Sequence, residues 1–297
     1  MEQTSGRARV TRTAFVLYGL LGYGFLYVPV LLLAFFSFNK SAAGNLPFTG
    51  FTLHWYADLF RDYLVIDAFK NSLLVAAVTA LVASIIGTSA AFALVRARLR
   101  FTEFLRVIFV MPMMIPGLLI GIALLVFFSS LLDLPLSLGT VIAGHVVMTT
   151  PFVLLVVATR LTDFDRRLEW AAADLGANPL ATFRYIILPL ILPGVLAGAL
   201  FSFTLSLDEF VITLFTIGAQ TTLPLYVFSQ VKFGVTPKIN ALATLLLLGS
   251  ITILLLTFYA LSRVGRHGGS KHGGVRQLVR RATSPKRRSG DLGSTTP

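Results

Sequence analysis

Asp208 and Glu209 are adjacent carboxylates at the end of a long apolar run that lacks Lys and Arg. Ser202, Thr204, Ser206 and Thr213 add hydroxyls around them. A carboxylate at membrane depth is costly and tends to mark a solute path or a buried ion pair. A cationic solute would be drawn to it. The alternatives are a structural pair with Lys232 or Lys238 that stabilises the helix bend, and contact with the surface of a partner protein. Adjacent helical positions point ~100° apart, so at most one of the two faces a given partner squarely. His145 lies inside another apolar run and is expected to hydrogen-bond a neighbouring helix. Other chemistries lack their residues. The chain has no Cys, hence no thiolate nucleophile, no disulfide and no Cys-based metal site. No Gly-Lys dipeptide exists, so there is no phosphate-binding loop of the G-x-x-x-x-G-K type. H-E-x-x-H and G-x-S-x-G are absent as well. His54, His145, His267 and His272 are isolated from one another.

The elements that position these residues follow from composition. Of 297 residues, 56% are hydrophobic and 13% charged, and the mean hydropathy is +0.82. A soluble domain is about a quarter charged, so most of this chain cannot face water. A membrane-spanning helix needs ~20 apolar residues. Six runs meet that need, at 14–36, 72–95, 107–132, 134–159, 185–207 and 239–262, and predict an all-α membrane protein. A further run at 210–231 is divided by Gly218–Thr222 and Pro224, and its halves are too short to span. It is read as the outer end of the fifth span plus a partly buried outer segment. Residues 56–69 predict a short interfacial helix in the first outer loop, with Trp55 and Tyr56 suited to the interface. The first run is longer than a signal-peptide core and no A-x-A site follows, so it reads as an uncleaved span.

Charge sets the orientation. Arg7, Arg9 and Arg12, then Arg96, Arg98, Arg100 and Arg106, then Arg160, Arg166, Arg167 and Arg184, and finally the tail from Arg263 alternate to one side. Lys40, Arg61, Lys70, Lys232 and Lys238 are left for the other. By the positive-inside rule both termini are cytoplasmic. The net charge of +12 is therefore an orientation signal. The organisation reads as a cytoplasmic N-terminus (1–13), a six-span domain (14–262) and a basic, disordered cytoplasmic tail (263–297). The tail has no structured readout elements, so nucleic acid is not an expected partner, whereas membrane lipid is.

One inner loop departs from the basic trend. Residues 160–186 hold Asp163, Asp165, Glu169 and Asp174 beside four arginines. Asp165 predicts an N-cap, and Leu168, Ala171, Ala172 and Leu175 follow helical spacing. Gly176 predicts a stop, and Asn178-Pro179 a second start. A short helix–turn–helix along the cytoplasmic surface results.

Glu169-Trp170-Ala171-Ala172-Ala173-Asp174-Leu175-Gly176-Ala177, followed by Ile187-Leu188-Pro189, resembles the E-A-A-x-x-x-G…I-x-L-P loop of ABC-importer permease subunits. Counting back from Gly176, the family's Glu falls at Trp170. Glu169 stands one residue earlier and is expected to supply the carboxylate. Asn71-Ser72, Met111-Pro112, Asn240–Thr244 and the run Ser202–Glu209 are similar to permeases of the spermidine/putrescine importer group, the last to its second permease.

The resemblance implies a transport subunit that carries no bond chemistry of its own. Glu169, Trp170, Ala171, Ala172, Leu175, Gly176, Leu188 and Pro189 would form the loop that docks on an ATPase. Thr204, Ser206, Asp208 and Glu209 would line the solute path. The implied partners are two ATPase subunits, a homologous second permease and an extracytoplasmic solute-binding protein. ATP and Mg would be bound by the ATPase and no cofactor by this chain. The place would be the bacterial inner membrane and the solute a polyamine. An importer permease for another small solute is the alternative, as is a secondary transporter or channel, which predicts inverted repeats and midplane ionisable pairs.

Overall fold

A computed structural model describes residues 3–41, 46–96, 100–232 and 234–268, with backbone only at 3–14, 253, 254 and 256–268. Arg98 and the tail beyond 268 lie outside the described residues. The described chain is helical, with one isolated antiparallel bridge between Asn39 and Phe51. Its contacts divide it into two units, Met1–Ala241 and Leu242–Pro297.

Helix α1 (Gln3–Phe36) begins with a polar, arginine-bearing stretch and is apolar from Phe15, and none of its window Phe15–Phe36 is buried. The loop that follows, expected on the outer side, is held by its own polar groups. The Trp55 indole N–H donates to the Asn39 carbonyl at 2.8 Å, and the Ser37 and Tyr56 hydroxyls bond at 2.7 Å. The interfacial helix expected at 56–69 is instead α2 (His54–Leu59), broken at Phe60–Asp62. The Asp62 carboxylate accepts from the Leu64 N–H at 2.9 Å and so starts a new helix. That helix, α3 (Tyr63–Arg96), begins well before the span expected from 72.

The third run is not one helix. Segments Thr102–Met114 and Gly117–Leu131 meet at 103°. The first holds α4 (Thr102–Val110) and a tight 3₁₀ turn, Met111–Met114; the second holds α5 (Gly117–Val126) and a wide turn, Phe127–Leu131. Pro116 cannot donate a helical hydrogen bond and holds ψ 133, so the chain turns there despite unbroken hydropathy. Helix α6 (Leu138–Thr162) starts from a Ser137–Thr140 capping box and carries Pro151 without breaking.

Helices α7 (Arg167–Asp174) and α8 (Pro179–Thr182) form the loop at 160–186 that is expected on the inner side. A wide turn at Phe183–Ile187 leads into α9 (Leu188–Asp208). Then come α10 (Val211–Thr216) and α11 (Leu223–Val231), each too short to span, as the divided run at 210–231 predicts. Helix α12 (Pro237–Gly268) is the last element among the described residues and carries helical backbone through 263–268, where the sequence places the start of the tail.

By length and composition, α1, α3, α6 and Pro179–Asp208 can cross a membrane, and the bent pair makes a fifth candidate. The core of the first unit lies between α3, α6 and α9. Ala83, Ala90, Ala91, Val153, Val157 and Ile191 are buried there. Small residues set the spacing. A Cβ on Gly87 would sit 2.8 Å from Val153 Cβ, and one on Gly198 3.1 Å from Val153 Cα. Such close backbone approach is how helices associate where lipid removes the hydrophobic drive.

Candidate functional site

Helix α9 carries its hydroxyls on two faces, because positions two apart point roughly opposite ways. Ser202 and Ser206, one turn apart, are buried against α6. The Ser202 hydroxyl donates to Thr149 Oγ1 at 2.8 Å. Ser206 Oγ lies 2.8 Å from His145 Nδ1, and His145 Nε2 lies 2.9 Å from Thr213 Oγ1 on α10. His145 therefore bonds neighbouring helices, as expected. Thr204 and Asp208, also one turn apart, are exposed on the other face. The Thr204 hydroxyl donates to the Leu200 carbonyl of its own helix. The four residues expected along one path are thus split, with Ser206 inward and Thr204 and Asp208 outward.

Glu209 sits at the break between α9 and α10, with extended backbone at ψ 112. Its carboxylate accepts from the Ile212 N–H at 2.9 Å, capping the orphan donors of α10. It faces a niche lined by Ser72, His145, Ser206, Thr213 and Thr222. Neither carboxylate pairs with Lys238. That ammonium lies 2.6 Å from Asp62 instead. Sequence reading missed this pair because its partners are far apart in the chain. Burial works against the Asp62 charge, yet Lys238 and the Leu64 and Val65 N–H groups hold its carboxyl below the usual carboxylate range. Tyr226 beside it is pushed up, first by burial and then by the Asp62 charge. The segment between α10 and α11 is clamped too. Asn71 donates to the Thr221 carbonyl at 3.0 Å, and Ser72 Oγ accepts from the Leu223 N–H at 2.8 Å.

At the other end, the inner loop takes the helix–turn–helix form expected. The Asp165 carboxylate accepts from the Arg167 N–H at 2.9 Å. Gly176 adopts φ +83. The Ala177 N–H reaches the Ala172 carbonyl and the Gly176 N–H the Ala173 carbonyl, a Schellman ending that favours glycine. Asn178 Oδ1 accepts from the Ala181 N–H at 2.7 Å and starts α8 with Pro179 at its first position.

Glu169 points inward and lies 2.7 Å from Arg96 at the end of α3. The same guanidinium covers the Phe164 ring at 5.1 Å. Ala172 is buried, whereas Trp170 and Leu175 are 65% and 88% exposed and Leu180 is exposed beside them. Ala171, Gly176 and Pro189 are exposed as well, and Leu188 is half-buried. The apolar stripe expected from spacing is therefore divided. Ala172 anchors the helix to the protein, and large side chains at other positions face away. The loop is pinned from behind and apolar in front.

Among the described residues no cluster of His, Asp and Glu could hold a metal ion. Residues 83–266 match the family model for the binding-protein-dependent transport system inner membrane component. The putrescine transport system permease protein PotI of Escherichia coli (strain K12) is 42% identical over 82% of this chain and 89% of its own length. The spermidine/putrescine transport system permease protein PotC of the same strain is 40% identical, over 78% and 88%. A bacterial alginate ABC transporter, solved in complex with an alginate pentasaccharide-bound periplasmic protein, has a chain of like fold. It shares 16% identity at a TM-score of 0.65, over 87% of this chain and 94% of that one. With its multiple apolar helices and this match across most of its length, the chain belongs to the inner membrane components of binding-protein-dependent transport systems.

Proposed function

We propose that the protein is a permease subunit of an ATP-driven importer for polyamines. An external binding protein delivers the solute, and two ATPase subunits below the membrane power the transfer. A second, homologous permease completes the path. ATP and Mg belong to the ATPase subunits, and this chain needs no cofactor. Support for the solute class comes from the two polyamine permeases at 40–42% identity.

The observation that carries the path is Asp208. It is exposed at the C-terminus of an apolar helix, where the helix dipole disfavours an anion. A lone carboxylate facing lipid there is costly, so that face lines a protein-walled, wet path. A polyamine ammonium entering from outside between two permeases would meet Asp208 first and then Thr204. The inner loop supports the power stroke. Trp170, Leu175 and Leu180 would fit an apolar groove on the ATPase. The Arg96–Glu169 pair would pass the loop's motion to α3, and Leu188–Pro189 would pass it to α9.

Six spans with both termini cytoplasmic complete the reading. The bent pair counts as the third span and α12 as the sixth. Uptake by the reconstituted assembly tests it. Labelled putrescine and spermidine are taken up in an ATP-dependent way, and Asp208→Asn raises KM about tenfold, a loss of ~1.4 kcal/mol. Uptake of other small solutes with polyamines ignored would overturn the solute. Unchanged KM in Asp208→Asn would overturn the path.

A further inference from the structure

The break between α9 and α10 has no Gly or Pro to make it. Something else must hold Glu209, with its extended backbone, out of helical geometry. His145 is 1% exposed and spans the break, with one ring nitrogen on Ser206 before it and the other on Thr213 after it. The protons in this chain of bonds have one consistent direction. The Thr213 hydroxyl donates its only proton to the Glu209 carbonyl at 3.0 Å. Thr213 Oγ1 must then accept from His145, so Nε2 carries the proton. In the neutral ring Nδ1 is left as an acceptor, and the Ser206 hydroxyl donates to it. The chain runs from Ser206 through the imidazole and Thr213 to the backbone carbonyl of Glu209. It ends on the carbonyl of Glu209, the extended residue that directly follows Asp208 and joins α9 to α10.

We infer that His145 is the positioning residue for this corner: through Thr213 it sets the backbone at Glu209 and thereby the direction in which Asp208 meets the solute. An apolar side chain of similar size would fill the space but would leave Ser206 and Thr213 without the bridge. The inference rests on the reading of Asp208 as part of the path, and the test separates the two.

The chain has no native Cys, so Asp208→Cys places the sole thiol of this subunit at the corner. Its modification rate by a water-soluble charged thiol reagent is measured in the assembled importer. Adding His145→Phe or Thr213→Val changes that rate at least about fivefold, because thiol attack depends on access and local field. His145→Gln can still donate and accept, and keeps the rate within about twofold. Equal rates in all three variants would overturn the inference.

Uptake is read in parallel with Asp208 restored. His145→Phe raises KM about tenfold, as Asp208→Asn does, with maximal rate and partner co-purification held. A shifted thiol rate with KM unmoved in both variants upholds the positioning and overturns the path. If His145→Phe does not assemble, Thr213→Val and His145→Gln decide the matter by the same rates.

Discussion

Glu169 shows how one displaced side chain can keep its element in place. Its carboxylate does not face outward from the inner loop but grips Arg96, with the two side chains 27% and 15% exposed. Removing one partner leaves a partly desolvated charge, which costs about 1–2 kcal/mol at this exposure. Glu169→Gln should therefore lower solute-stimulated ATP hydrolysis by the assembly while leaving the chain folded. The exchange of Arg96→Glu with Glu169→Arg should restore part of it. Equal stimulation in the single variant would remove the pair from the power stroke. Asp62 makes a different, pH-dependent contribution. Its folded carboxyl titrates below the unfolded value of about 3.9, so its stabilisation is complete above that pH and fades as pH falls through the lower folded value. Asp62→Asn should lower the unfolding midpoint at pH 7, and the gap to the unaltered protein should close below about pH 4. A gap that stays constant with pH would show that the Lys238 pair contributes nothing. Neither pair was legible from spacing, since pairs between distant segments leave no local pattern.

At the scale of elements, local chemistry was readable and tertiary breaks were not. Gly176 and Asn178-Pro179 each carry a known backbone signal, and the turn between α7 and α8 follows them. Asp165 stands one residue early for α7, since Arg166 takes the N-cap position and the Asp165 carboxylate accepts only from the Arg167 N–H. The 103° bend had its signal in Pro116-Gly117, but continuous hydropathy concealed it. The α9–α10 break had none, because the bridge from His145 that spans it comes from another helix. Glycine roles divide in the same way. Gly87 faces the α6 backbone, and a methyl group there meets Val153 and Leu154 within 3.0 Å. Gly249 on α12 has nothing within 4 Å. Gly87→Ala should thus destabilise by about 1–3 kcal/mol through overpacking. Gly249→Ala should stabilise by about 0.5–1 kcal/mol through helix propensity. Thermal unfolding of the purified assembly reads both, and equal shifts would contradict the packing.

For the whole molecule, hydropathy and charge together were enough to read an all-α membrane protein and to propose its orientation. The expected topology has a direct check. Reporter fusions after residue 268 should be active only in the cytoplasm, and fusions within 232–236 only outside. The opposite pattern would reverse the proposed orientation. Residues 1–13 and the tail should then share one side, as the arginines imply. The interleaving of the core has a further consequence, for synthesis. Its buried residues run from Ala83 on α3, through Val153 and Val157 on α6, to Ile191 on α9. No two consecutive helices close it. While the ribosome is still adding α6, the small-residue face of α3, with Ala83, Gly87, Ala90 and Ala91, waits in the bilayer without its final neighbours. Until Ile191 has emerged, that face is open to any other small-residue helix in the same membrane, so the nascent chain is most exposed to mispairing just before α9 arrives.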